Sequence, residues 1–222
     1  MGVLSRLFGG GGAAGTERRG EDVVARMGAL GQLDAKWSPE ALRRRVRDAF
    51  FAVQRQWIER DPEVGAPFET PELLARQKLR IDGLVHQHRV HQLENPLIED
   101  LDFIAFEEGA AGGEATVTAL LDVSLVETIL DADSGALVAG HPNVKQQRKE
   151  YWTFAWRDGA WRLSEVEQPG EGARHLKAPL VGGDYAELSP ESVLRERYAR
   201  GEIEIEEFER EMGELLGREP RY

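Results

Sequence analysis

The stretch KEYWTFAWRDGAWRLSEVE, residues 149–167, constrains the fold more than any other part of the chain. Apolar and polar side chains alternate with period two on both sides of Asp158-Gly159, the pattern of two half-buried strands. Asp-Gly tolerates positive φ at both central positions of a turn, so a two-residue type I′ hairpin joins them. That turn sets Trp156 opposite Trp161 and Phe154 opposite Leu163. Trp152, Phe154, Trp156, Trp161 and Leu163 then share one face, and Tyr151, Thr153, Arg162 and Ser164 take the other. Three of the five tryptophans lie in this row. Under a helical layer it is core; a ligand cavity at one end of that interface, or a partner surface, is the alternative these residues leave open.

Two helical layers precede it. Ser38-Pro39-Glu40 is a helix start, with a serine cap and proline at the first position, where a missing N–H costs nothing. Leu42, Val46, Ala49, Phe50, Val53 and Trp57 form one stripe at three- and four-residue steps, with Arg43, Arg44, Arg47, Arg55 and Glu59 largely off it. Asp61-Pro62 ends that helix. Thr70-Pro71-Glu72 repeats the start signal, and Leu73, Leu74, Ile81, Leu84 and Val85 carry a second stripe to about His88. A weaker segment, Glu21 to Gln32, precedes both, with Gly28 and Gly31 against it. After Asn95-Pro96 the period becomes two: Leu101, Phe103 and Ala105 alternate with Asp102, Ile104 and Phe106, and a long bent strand follows from about Ala115 to Ile129. DADSG at 131–135 is a turn, with Leu137-Val138 beginning the return. The plan is α+β, with helices packed on a curved antiparallel sheet and a C-terminal helical hairpin.

Hydrophobic residues at 41% of 222 supply a core, while a net charge of -12 opposes polyanions, so nucleic acid is not an expected partner. Without cysteine there is neither a disulfide frame nor a thiolate metal site. No apolar run is long enough to span a membrane. The start, MGVLSRLFGGGGAAGTERRG, lacks the long core of a secretory signal, and Arg6 stands where myristoylation needs Ser or Thr. Residues 1–20 are therefore expected to be a flexible segment. Val3, Leu4, Leu7 and Phe8 could touch a lipid or protein surface, with Gly9 to Gly12 as tether.

From Gln168 the pattern dissolves into Pro169, Gly170, Gly172, Pro179, Gly182 and Gly183, a linker or strap over 169–188 in which Leu176, Leu180 and Val181 could dock. Ser189-Pro190-Glu191 gives a third start signal. Val193, Leu194, Tyr198, Ile203, Phe208, Met212 and Leu215 can close a helical hairpin over 189–217. From Asp184 onward twelve acids stand against six bases, half of the chain's negative excess. That is a solvated face or an acidic partner surface.

LRRRVRDAFFAVQRQWIERDPE, then TPELLARQKLRIDGL, then KEYWTFAWRDGAWRLSEVE resemble the Tim44-like domain family over about residues 37–168. The ending Tyr151-Trp152-Thr153-Phe154 with Trp161-Arg162-Leu163 is the most specific part, followed by Phe50-Phe51-Ala52-Val53-Gln54 with Trp57. The resemblance implies a cone like that of nuclear transport factor two (cystatin-like), assigned to 21–168. It also implies a role like that of relatives that tether translocase or ribosomal components at the inner face of a membrane without catalysis. SPESVLRERYARGEIEIEEFEREMGELL resembles the SHOCT module, a short helical pair appended to many bacterial proteins. That resemblance implies self-association through Tyr198, Ile203, Phe208 and Met212. Where SHOCT members cap the second helix with Thr, Ser or Asp, this chain has Glu204.

A catalytic set is harder to find. His86, His88 and His91 cluster, but no third ligand converges with the i, i+3 pair, so solvated histidines and no metal are expected. Asp102, Asp122, Glu127 and His141 are the polar residues on apolar strands that a lyase or isomerase built on this fold would use, yet none forms a recognisable pair. The Arg43-Arg44-Arg45 run with Arg47 could meet anionic lipid or an acidic tail. The expected function is a non-enzymatic interaction or tethering domain without cofactor, linked to protein translocation or membrane-protein biogenesis. Its place would be the cytoplasm, peripheral at the inner face of the membrane, with a protein partner and a second copy through the tail. The candidate ligand or partner residues are Phe103, Trp152, Phe154, Trp156 and Trp161. A small-molecule-binding or lyase-type enzyme is the alternative.

Overall fold

The computed structural model describes residues 10–109, 114–178, 194, 197–198 and 203–215. Three long helices come first: α1 (Gly10–Gly31), α2 (Pro39–Glu59) and α3 (Pro71–His86). Both expected caps are present, Ser38 accepting from the Ala41 N–H and Thr70 from the Leu73 N–H, each ahead of a proline in the first turn. Arg60, in the left-handed region at φ 55°, closes α2 by donating its N–H to the Gln56 carbonyl.

The five-stranded antiparallel sheet comprises β1 (Arg89–Glu107), β2 (Thr116–Asp131), β3 (Leu137–Gly140), β4 (Gln146–Arg157) and β5 (Ala160–Glu167). Its order is β1-β2-β4-β5, with β3 paired to the far end of β2. The hairpin register is the one the sequence requires: Trp156 pairs with Trp161 and Phe154 with Leu163, and Asp158 and Gly159 take φ of 50° and 73°. A register shift between Thr153 and Phe154 bends the ribbon.

Two boundaries differ from the expectation. β1 begins at Arg89 and runs through Asn95-Pro96, whereas the sequence suggests a strand starting after them. Asn95 adopts φ 51° at a register shift between Glu94 and Leu97, and Pro96 sits on an edge strand where no ladder N–H is lost. Helix α1 reaches back to Gly10, through the segment expected to be a flexible start. Tertiary packing outweighs glycine's low propensity there. Val23, Met27 and Leu30 are buried, and Gly20 lies against Asp102, 3.5 Å from a virtual Cβ to Oδ1.

One face of the sheet and the three helices enclose the main core, which includes Met27, Trp37, Phe50, Phe103, Leu121, Trp152, Phe154 and Leu163. Each such side chain contributes on the order of 1.5–3 kcal/mol relative to exposure. On the opposite face Ile104, Leu120 and Tyr151 form a small second cluster. A one-turn helix, α4 (Pro169–Gly172), and a 3-10 turn at Ala173–Leu176 cross that face and set Leu176 on the cluster. Arg174 and His175 both reach the buried Glu167 carboxylate, and the Tyr151 and His175 rings stack at 6.4 Å. This part of 169–188 is a strap; Leu180 and Val181 lie outside the described residues. In the tail, α5 (Ile205–Leu215) is described together with Leu194, Arg197, Tyr198 and Ile203, while Ser189-Pro190-Glu191 lies outside. Leu194 and Ile203 are buried, and Tyr198 stacks on Phe208 at 4.9 Å.

Both margins of the sheet are engaged. Arg19 Nε donates to the Ile104 carbonyl of β1 at 2.6 Å. At the other margin, the Thr70 N–H donates to the Leu163 carbonyl and the Leu163 N–H to the Phe68 carbonyl, forming a short parallel bridge at Glu69.

Candidate functional site

The five aromatic candidates lie on the helix-facing side of the sheet. Phe103, Trp152, Phe154 and Trp161 are 0–4% exposed, and Trp156 is half-buried against the same cluster. Trp161 meets Trp37 edge-on at 5.3 Å and Trp156 at 5.4 Å, while Phe50 tilts on Trp152 at 5.7 Å. The indole N–H groups of two are satisfied within the protein: Trp161 donates to the Lys36 carbonyl at 2.8 Å and Trp152 to Glu150 Oε2 at 2.9 Å. Rings this close-packed leave their faces to one another.

Polar chemistry begins where the aromatic row stops. On the same face, β1, β2 and β4 line up His91, Glu127, Arg148 and Glu150 in a ladder that ends on Trp152. His91 Nε2 lies 2.6 Å from Glu127 Oε1, Arg148 donates to Glu127 Oε2 at 2.7 Å and to Glu150 Oε1 at 2.7 Å. Trp57 of α2 packs edge-on against the His91 ring at 5.4 Å. The His91 contact, followed by the Arg148 hydrogen bond and charge, outweighs burial and pulls the Glu127 carboxyl down to about 2. Arg148 is raised by its two carboxylates against the opposing effect of burial. Such a ladder is a charge-neutralising clamp across three strands.

The other polar candidates do not converge on it. Asp102 and Asp122 face the opposite side, around a surface cleft that also involves Asp100, Lys149, Thr16 and Glu17. Burial, then the neighbouring Asp100, raises the Asp102 carboxyl. Asp122 accepts from the Gln147 amide at 3.0 Å. His141 is exposed, as is His88, whose Nδ1 lies 3.1 Å from Asp133 Oδ2. His86 is exposed at the end of α3. Among the described residues no group of three His, Asp or Glu side chains is placed to hold a metal ion.

The arginine run divides by direction. Arg43 donates to the Leu101 carbonyl and lies over the Phe103 ring; Arg45 donates to the Trp161 and Pro67 carbonyls and lies over Phe68. These two tie α2 to the sheet and to the segment before α3. Arg44, Arg47 and Arg55 point outward with Phe51, 44% exposed, and Ile58, 41% exposed. Their spacing puts all five on one helical stripe. Alternation alone did not single out Arg148 and Glu150, because they read as solvated charges until three strands bring their partners together.

An α+β domain with helices on one face of an open antiparallel sheet, and no convergent catalytic set among the described residues, is the class that this geometry defines. Residues 25–168 match the Tim44-like domain, and the chain belongs to that family. None of the curated proteins matches. Among solved structures the chain is similar to one described as the crystal structure of the intermembrane space region of chloroplast protein ARC6. Identity is 15%, the alignment covers 56% of this chain and 94% of that one, and the TM-score is 0.38. Among the described residues no helix is long and apolar enough to cross a membrane.

Proposed function

We propose that the chain is a non-enzymatic protein-interaction or tethering domain, peripheral to a membrane at its cytoplasmic face and linked to protein translocation or membrane-protein biogenesis. Membership of the Tim44-like family supports that setting. The observation that carries the reading is the outward stripe of α2. Arg44, Arg47 and Arg55 frame the exposed Phe51 and Ile58, and α2 as a whole carries five arginines against Glu40, Asp48 and Glu59 in a chain of net charge -12. A locally basic, partly apolar strip on an acidic protein suits a protein or membrane surface that is itself acidic. The buried aromatic row serves this role by holding α2 in place rather than by receiving a ligand. The acidic tail, through Tyr198, Phe208 and Met212, is a second contact, with another copy of the chain as its partner; Ile203 is buried within the chain and supports that surface from beneath.

Native cells expressing the full chain or the R44E/R47E/R55E variant, each tagged, decide the matter. The expected result is that the wild-type chain fractionates with membranes and crosslinks to translocation or membrane-insertion components, and that the variant loses both at unchanged abundance. Equal partition of the two chains, with no crosslinked component, overturns the reading. For the tail, light scattering before and after removal of residues 189–222 is direct: an unchanged mass rules out assembly through it.

A further inference from the structure

Between α2, α3 and the margin of β5 lies a buried polar cluster that the reading above does not use. Glu69 is 1% exposed, Gln56 0% and Gln77 5%. The Gln56 amide donates from Nε2 to Glu69 Oε1 at 3.2 Å, and Gln77 is the second amide acting on the same carboxyl. Three buried oxygens, Gln56 Oε1, Glu69 Oε2 and Gln77 Oε1, then have no donor among the surrounding protein groups. Two of them share one small space against Gly65: a Cβ at that glycine would stand 2.0 Å from Gln56 Oε1 and 3.2 Å from Glu69 Oε2.

A buried acceptor without a donor costs on the order of 1–3 kcal/mol, and an ionised carboxylate without a cation costs more. The charged groups nearest the cluster are engaged elsewhere, and Arg162, which keeps a buried Nε–H without a partner among the described residues, is not among the groups acting on the Glu69 carboxyl. Arg45 binds the Trp161 and Pro67 carbonyls, Arg76 the Ser164 carbonyl and Arg162 the Ala66 carbonyl. Glu72 holds Arg157, and Asp61 accepts from the Glu63 N–H in the turn before Gly65, with Glu63 itself exposed. The donor that the cluster can supply from within is a proton on Glu69. Placed on Oε2, it faces the space that Gln56 Oε1 shares, and it closes a two-point acid–amide pair with the Nε2 contact already present.

We propose that Glu69 is a neutral carboxylic acid in the folded protein and donates to the Gln56 side-chain oxygen, forming a proton-dependent latch between α2 and the start of α3. Burial, partly offset by the two amides, raises its carboxyl to about 7, with no charged neighbour among the causes. The latch is closed below neutrality and opens as pH rises through that value, when the ionised carboxylate loses its donated bond and confronts the Gln56 oxygen. Its position gives it reach. Phe68 and Thr70, either side of Glu69, hold Leu163 of β5, and Thr70 caps α3. Opening therefore loosens the junction of α2, α3 and the sheet margin. This inference does not depend on the functional proposal above.

The test is a carbon-13 carboxyl titration of the full chain labelled at glutamate side chains. One glutamate resonance is expected to titrate near neutrality, and it should be absent from the Glu69→Gln chain. The thermal midpoint of the wild-type chain is expected to fall by several degrees relative to that of Glu69→Gln between about pH 4.5 and pH 7 and to level off above that, because glutamine mimics the neutral acid and does not titrate. If every glutamate titrates in the ordinary acidic range, as it would with a water bridging an ionised Glu69, the proposal fails. It fails equally if both chains show the same pH slope. Should Glu69→Gln not fold, the wild-type titration alone still decides.

Discussion

Trp161 on β5 donates its indole N–H to the carbonyl of Lys36, 2.8 Å away in the turn between α1 and α2. The bond spans most of the domain in sequence and ties the last strand to the first helical connection. The same ring packs against Trp37 and Trp156. Trp161→Phe removes the donor and part of the area, and is expected to destabilise by about 1–3 kcal/mol. Trp161→Ala should cost about 3–5 kcal/mol. Urea denaturation followed by circular dichroism reads both. A loss below about 0.5 kcal/mol for Trp161→Ala would contradict its place in the core.

The polar ladder makes a prediction in acid. Glu127 is an ordinary carboxylate when unfolded and is held near 2 when folded. Its contribution to stability is therefore complete above about 4.5 and is lost as pH falls through 4.5 towards 2. Because the site is partly open to water, the expected size after allowing for screening is about 1–2 kcal/mol. Glu127→Gln should be less stable than wild type at neutral pH, and the difference should shrink in acid. Parallel denaturation curves at several pH values check the sign.

Gly172 sits so close to the strap's anchor that a Cβ there would stand 2.3 Å from the Tyr151 ring. Gly172→Ala must displace either the ring or the strap, at an expected cost of about 1–3 kcal/mol. Hydrogen exchange should quicken at residues 173–178 while amides of the β2–β4 ladder keep their protection. Uniform acceleration would mean that the strap and sheet open as one unit.

Asn95, in the left-handed region within a strand bulge, tests the corrected boundary of β1. Asn95→Gly should be tolerated or mildly stabilising, whereas Asn95→Val forces a branched side chain into that conformation and should cost about 1–2 kcal/mol. Equal thermal midpoints for the two substitutions would argue against the bulge.

Much of the fold was legible because its signals are local. Asp158-Gly159 dictates a turn by backbone chemistry alone, and Ser38-Pro39 and Thr70-Pro71 start helices for the same kind of reason. The beginning of β1 was not legible, since Asn95-Pro96 ordinarily interrupts a strand and becomes acceptable only on an edge next to a bulge. Helix α1 is longer than its glycines suggest because residues distant in sequence hold it, with Val23, Met27 and Leu30 in the core and Arg19 on the Ile104 carbonyl. The ladder and the Glu69 cluster were hidden more completely. Arg148, Glu150, Gln56 and Gln77 carry side chains that sequence patterns assign to water; Arg148 gains Glu127 from β2, Gln56 gains Glu69 from outside its helix, and Glu150, paired within its own strand, is buried by the layer packed over it. The aromatic row, by contrast, advertised itself and proved to be packed ring on ring.

The treatment of the two outermost strands has a consequence for how this protein meets others. Arg19 occupies a carbonyl of one and the Phe68–Thr70 segment pairs along the other. A foreign chain seeking to extend the sheet at either place would first have to evict a resident group, so recruitment by strand addition is disfavoured there. Under the tethering role proposed above, contact through the outward stripe of α2 would be set by side chains, with Phe51 and Ile58 exposed there, rather than by peptide groups.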